Sequence, residues 1–126
     1  MNIVESSLCS YCNNEDETTV HLFSGCLYVK GLWGEVQNSF RSKIILADLN
    51  PQSAILGWYQ EKVLCTIKNQ ILLIFKMSVY KDRETGICSL GRVLNKIKMV
   101  RAIEYGINTN NEYNRNKWEP IEDLLI

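Results

Sequence analysis

Cys9-Ser10-Tyr11-Cys12-Asn13-Asn14-Glu15-Asp16-Glu17-Thr18-Thr19-Val20-His21-Leu22-Phe23-Ser24-Gly25-Cys26 is the stretch on which the reading turns. It holds three of the chain's five cysteines and its single histidine, spaced C-x2-C-x8-H-x4-C. Zinc takes four soft or borderline ligands in a tetrahedron, and three thiolates with one imidazole is a standard structural set. Two cysteines separated by two residues can turn both sulfurs to one ion across a tight turn. The polar gap Asn13 to Asp16 can loop back, and His21 projects from a short helix through Val20 to Phe23. Thr18 is positioned to cap that helix, with Gly25 as its C′ residue. Cys26 lies five positions after His21, ~140° around a regular helix, so both can face one ion only if the helix breaks. Gly25 sits where the break is needed. Scattered thiols and a surface histidine are the competing reading, and the crowding of four donors into one short stretch argues against it. Cys9, Cys12, His21 and Cys26 are therefore the expected ligands of a structural Zn2+. With all four positions filled, no site is left for a catalytic water.

The rest of the chain is helical in pattern. After Cys26, apolar residues recur at Val29, Leu32, Trp33, Val36 and Phe40, in steps of three and four. Ile44-Ile45-Leu46 fits either a short buried strand or a helix end. Asn50-Pro51 followed by Gly57 reads as a small capped helix. Residues 62–83 are the longest helical candidate, with Ile67, Ile71, Ile74, Phe75 and Val79 on one side and Leu72 and Leu73 widening the stripe. A turn at Glu84-Thr85-Gly86 leads to a helix capped by Ser89, with Leu90, Val93, Leu94, Ile97, Val100 and Ile103 facing inward and Gly106 as its stop. Asn108 to Asn116 contains five asparagines and reads as a loop. Ile121 to Ile126 can add a last helical turn. The expected fold is mainly α: a zinc-binding head and first helix (1–42), a connector with a short helix (43–61), a helical hairpin (62–107), and an Asn-rich loop with a C-terminal tail (108–126). Cys65 and Cys88 are expected as small buried hydrophobes.

The chain has 126 residues, 46% of them hydrophobic and 22% charged, enough for a packed core. Fourteen basic and fourteen acidic residues cancel, which excludes a uniformly basic nucleic-acid binder. The cancellation hides a division. Residues 1–26 carry four acids and no Lys or Arg, whereas Lys68, Lys76, Lys81, Arg83, Arg92, Lys96, Lys98 and Arg101 face only Asp82 and Glu84 in their segment. That segment is either a solvated helical face or a phosphate-contacting surface. The first eight residues have neither the basic nor the apolar region of a secretory signal, and no apolar run reaches the ~20 residues of a membrane span. The expected address is intracellular, cytoplasmic or nuclear, where thiols stay reduced. No glycine-rich phosphate loop, G-x-S-x-G or second histidine is present, so the chain is not expected to be an enzyme by itself. A small-molecule substrate and a membrane partner are likewise not expected.

The residues also suggest a family. Leu8-Cys9-x2-Cys12, Glu17-Thr18-x2-His21-Leu22-Phe23-x2-Cys26 and Leu32-Trp33 resemble the zinc-binding segment that follows the polymerase domain in LINE-type (non-LTR) retrotransposon reverse transcriptases. Asn69 to Tyr80 is similar to that family's "n-x-LLL-x-x-K-x-x-IY" helix, and Glu104 followed by Lys117-Trp118 is similar to its closing "E…kW" pattern. The resemblance covers residues 8–119. It implies a zinc-stabilised C-terminal module of an RNA-directed DNA polymerase polypeptide, with RNA or DNA and the upstream polymerase domain as partners and the metal held by Cys9, Cys12, His21 and Cys26. Two features depart from the pattern: Leu27 stands where many relatives have proline, and no Asp-Asp pair of a polymerase active site is present. Three functions follow as expectations: a nucleic-acid-binding zinc module, a structural or protein-docking zinc module, or a non-functional remnant of a mobile element.

Overall fold

The computed structural model describes residues 8–58, 62–107 and 111–124, with the side chains of 62–65, 111, 113 and 114 outside the description. The architecture is helical, and no strand occurs among the described residues beyond an isolated bridge between Leu8 and Asp16. A π-helical turn, His21–Gly25, leads into α1 (Leu27–Phe40); α2 (Pro51–Leu56), α3 (Lys62–Asp82), α4 (Leu90–Ile107) and α5 (Asn111–Trp118) follow, and a 3-10 turn (Glu119–Leu124) closes the described chain.

Each element has a local cause. In α1 the expected set, Val29, Leu32, Trp33, Val36 and Phe40, is buried along one stripe. Helix α2 opens on a reciprocal box: the Asn50 side chain accepts from the Ser53 N–H at 2.8 Å, and the Asn50 N–H donates to Ser53 Oγ at 3.0 Å. Pro51 fills the first helical position, where a missing N–H costs nothing, and Gly57 ends the helix. Helix α4 is capped by Ser89, whose Oγ accepts the Arg92 N–H at 3.3 Å.

Helices α3 and α4 pack as a hairpin. The turn between them is closed by Gly86, at φ 71°, whose N–H reaches the carbonyls of Asp82 and Arg83 at 3.2 Å. The buried stripe of α3 is Ile67, Ile71, Leu72, Ile74, Phe75 and Val79, with Ser78 turned onto the Ile74 carbonyl. Trp33 packs its ring against Phe75, with centroids 4.9 Å apart, and so joins α1 to the hairpin.

The structure corrects several expectations. Residues 44–50 form neither strand nor helix. Ile44 and Leu46 are nevertheless buried, and the peptide is held by side chains of α1. Trp33 Nε1 donates to the Ala47 carbonyl at 3.0 Å and Gln37 Nε2 to the Leu46 carbonyl at 2.8 Å. Gly106 does not stop α4, which runs on to Ile107. Leu73 and Ile103, expected to face inward, are exposed: each falls on a side that the packed neighbours of its helix do not cover. Most consequentially, the Asn-rich segment from Asn111 onward is helical.

Helix α5 forms where asparagine content predicts a loop because tertiary contacts override weak propensity. It packs on both α3 and α4, and Trp118 is fully buried at its end. Trp118 Nε1 donates to Glu104 Oε1 at 3.0 Å, while Lys117 Nζ donates to both Glu104 oxygens at 2.9 and 3.1 Å and to Gln70 Oε1 at 3.0 Å. The core is therefore one hydrophobic cluster reaching from Cys9 through α1, α3 and α4 to Trp118 and Ile121.

Candidate metal centre

The first half of the ligand set comes from a turn. Cys9 and Cys12 flank it, with the Asn13 N–H donating to the Cys9 carbonyl at 2.9 Å and Asn13 itself at φ 56°. The backbone N–H groups of Asn14 and then Glu15 favour the Cys12 thiolate and bring its pKa down to about 6. A turn that aims amides at a sulfur prepares it to act as a metal ligand.

The second half comes from the π-helical turn. Thr18 caps it, its Oγ1 accepting the His21 N–H at 3.0 Å. The Cys26 N–H donates to the His21 carbonyl at 2.6 Å, an i→i+5 bond. That extra residue per turn removes most of the angular offset which a 3.6-residue helix would put between His21 and Cys26. The break expected at Gly25 is thus a widened turn followed by extended backbone at Cys26, φ −72° and ψ 125°, and Gly25 is not in a left-handed conformation. Its lack of a side chain serves a close approach instead: a Cβ at position 25 would lie 3.2 Å from His21 Nδ1.

These two pieces bring the ligand atoms of Cys9, Cys12, His21 and Cys26 within 4.8 Å of one another. Cys9 Sγ and Cys26 Sγ are 3.8 Å apart, and Cys12 Sγ and His21 Nε2 are 3.3 Å apart. Two sulfurs bound at ~2.3 Å in a regular tetrahedron are separated by ~3.8 Å, and a sulfur and a nitrogen by ~3.5 Å. These two pairs are spaced as in a tetrahedral site, and the four donor atoms together lie close enough to share one ion. All four cysteines described, including Cys88, are free thiols. Cys9 and Cys26 are wholly buried. Burial pushes the Cys26 thiol up to about 11, opposed by the N–H groups of Val29 and Tyr28 at the start of α1. Were both sulfurs ionised, as zinc ligands are, their like charges at this distance would need a cation to compensate them.

The centre is fastened to the hairpin. Tyr11 stacks on Tyr28 with centroids 5.0 Å apart and donates its hydroxyl to the Val79 carbonyl of α3. The Tyr28 hydroxyl donates to the Cys88 carbonyl and accepts the Cys88 N–H, both at 3.3 Å. Glu17 accepts from the Ser10 N–H at 3.3 Å through Oε1 and from Arg83 Nη1 at 2.9 Å through Oε2. Cys88 is buried, as expected; the side chain of Cys65 lies outside the described residues.

The eight basic residues do not converge on one face. At 100° per residue, Lys68 and Lys76 share one side of α3 while Lys81 points away, Arg83 follows in the turn, and on α4 Arg92 and Lys96 lie roughly opposite Lys98 and Arg101. Four of them have partners elsewhere in the chain. Lys76 Nζ donates to the Ala54 carbonyl at 2.8 Å, and burial lowers its pKa. Arg83 holds Glu17 and lies over the Tyr80 ring at 4.1 Å. Arg92 grips the buried Asp82 through two hydrogen bonds at 2.9 and 3.0 Å, and Arg101 pairs with Glu122. Lys68, Lys81, Lys96 and Lys98 make no ion pair among the described residues.

Sequence reasoning missed Glu15. Its Oε2 lies 2.9 Å from His21 Nδ1, in ion-pair range though off hydrogen-bond geometry. The polar gap between the ligands gave no sign of which acid would face the imidazole. No helix among the described residues is long and apolar enough to cross a membrane. No family model matches the chain, and neither the curated proteins nor the solved structures give a match.

Proposed function

We propose that the chain is a zinc-stabilised module of a LINE-type reverse transcriptase polypeptide, working inside the cell in the cytoplasm or nucleus. It binds RNA or DNA and performs no catalysis of its own. The observation that carries the reading is the Cys9, Cys12, His21 and Cys26 cluster, whose four donor atoms lie within 4.8 Å of one another, two pairs of them at tetrahedral-site spacing. The residues on which the resemblance rests also have physical partners. Glu104 meets Lys117 and Trp118, Asn69 clasps both the N–H and the carbonyl of Trp58, and Lys76 holds the Ala54 carbonyl.

Phosphate contact falls to Lys68, Lys81, Lys96 and Lys98, since Lys76, Arg83, Arg92 and Arg101 have internal partners. Binding to single-stranded RNA and to duplex DNA across a salt series tests this. Replacing the four lysines with glutamine should reduce the slope of log K against log salt by up to ~4 for duplex DNA. Absence of binding at low salt, or a flat slope, would refute it.

One observation favours protein docking as a second reading. Leu73, Met77 and Tyr80 form an exposed strip on α3, and Ile55 and Leu56 face solvent beside it on α2. Phe23, Ala54 and Lys76 line the groove between them. Such a strip fits the surface of the polymerase domain that the resemblance places upstream. Met77→Asp should weaken association with that domain supplied in trans while leaving Tm unchanged. Failure of the unsubstituted chain to associate would remove this reading.

A further inference from the structure

We infer that Glu15 is the residue that positions His21 for the metal and sets how tightly the metal is held. The inference rests on the proposed zinc centre and goes beyond its four ligands.

His21 faces the cluster through Nε2, which lies 3.3 Å from Cys12 Sγ. The ring's other nitrogen, Nδ1, must then carry the proton. Nδ1 is buried and has no hydrogen-bond partner within the fold. A buried N–H without an acceptor is costly, and an imidazole whose second nitrogen is unheld can rotate away from the ion. Glu15 Oε2 is the acceptor at hand, 2.9 Å away. The carboxylate is otherwise solvent-exposed, so it is free to complete the bond by a small rotation when the ion fixes the ring. Gly25 leaves the other approach open, because a Cβ there would crowd Nδ1 at 3.2 Å.

Chain geometry makes this possible. The Cys9 N–H donates to the Glu15 carbonyl at 2.8 Å, which ties Glu15 to the first ligand and turns its side chain over the cluster. Glu17, two residues on, is occupied by Ser10 and Arg83 and does not compete. The arrangement is carboxylate–imidazole–metal. The carboxylate fixes the ring tautomer, raises the basicity of Nε2 and offsets the positive charge that ligation places on the ring.

The experiment is zinc affinity by chelator competition on the full chain, for the unsubstituted protein, Glu15→Ala, Glu15→Gln and the control Glu35→Gln on the exposed side of α1. Loss of Glu15 is expected to weaken zinc roughly ten- to hundredfold, with Glu15→Gln intermediate and Glu35→Gln unchanged. Cobalt-substituted samples should keep the same ligand-field bands, because the four ligands are untouched. The His21 Nδ1 proton, seen by nitrogen-15 NMR, should exchange faster with water in Glu15→Ala. Equal affinity and equal exchange in Glu15→Ala would overturn the inference about Glu15 alone. Absence of zinc or cobalt binding by the unsubstituted chain would overturn the metal centre and this inference with it.

Discussion

Trp118→Ala is the perturbation that bears most directly on how the C-terminal region is held. Trp118 is fully buried where α5 meets α3 and α4, and its Nε1 donates to Glu104 Oε1 at 3.0 Å. Truncating a buried aromatic to alanine costs ~3–5 kcal/mol in lost transfer energy and cavity. Glu104 keeps its two bonds from Lys117, so the lost indole bond adds only about 1 kcal/mol. The total is a large part of the ~5–15 kcal/mol that stabilises a small domain. With a urea slope of about 1.5 kcal/mol/M, the midpoint should fall by roughly 3–4 M. Trp118→Phe keeps most of the volume and loses the bond, so it should cost about half as much. The assay is urea unfolding followed by circular dichroism, with zinc held in constant excess so that metal loss does not enter. A midpoint shift below about 0.5 M for Trp118→Ala would refute the account of α5 as a packed helix.

Two further outcomes follow from the turns and the thiols. Gly86 sits at φ 71°, and a Cβ there would meet the Ser10 carbonyl at 2.8 Å; Gly86→Ala should cost at least ~1–2 kcal/mol by thermal unfolding and weaken zinc retention by pushing the Cys9–Cys12 loop off the hairpin, whereas an unchanged Tm would show that this close approach is not made. Burial first, and then the Asp82 carboxylate, push the Cys88 thiol from 9.0 up to about 11. The unfolded chain then releases this proton before the folded one does, so stability is fully present below pH ~9 and lost as pH rises toward ~11. Tm measured at pH 8 and pH 10.5 should fall less in Cys88→Ala than in the unsubstituted chain; an identical fall in both would remove Cys88 as a cause.

Much of this architecture can be read from the residues, because the signals are local. The stripe of α1, the Asn50–Pro51–Gly57 bracket around α2 and the Ser89 cap each depend on neighbours a few positions away. The cluster of Cys9, Cys12, His21 and Cys26 was readable for a different reason: donor chemistry restricts which residue types gather at a metal, and the spacing of the pair Cys9 and Cys12 is that of a tight turn. The rest depends on partners distant in sequence. Helix α5 exists because Trp118 and Lys117 find Glu104 and Gln70, which no property of Asn111 to Asn116 reveals. The π turn is invisible to a 3.6-residue periodicity, although the mismatch between His21 and Cys26 on a regular helix correctly demanded some departure. The basic segment left a solvated face and a phosphate-contacting surface both open, because charge along a sequence carries no record of pairing. Asp82, Glu17 and Glu122 take up Arg92, Arg83 and Arg101, and what remains is four dispersed lysines. Ile103 and Leu73 followed the helical period yet face solvent, since periodicity marks an apolar side but not how much of it a partner covers.

Metal content tests the central claim most directly. The chain, purified under reducing conditions with zinc supplied and excess removed, should carry one zinc per molecule by elemental analysis. Chelation should then lower Tm and loosen residues 9–26, and Cys12→Ser should retain far less metal. Protein that keeps its helical content and Tm while holding no zinc would contradict the account.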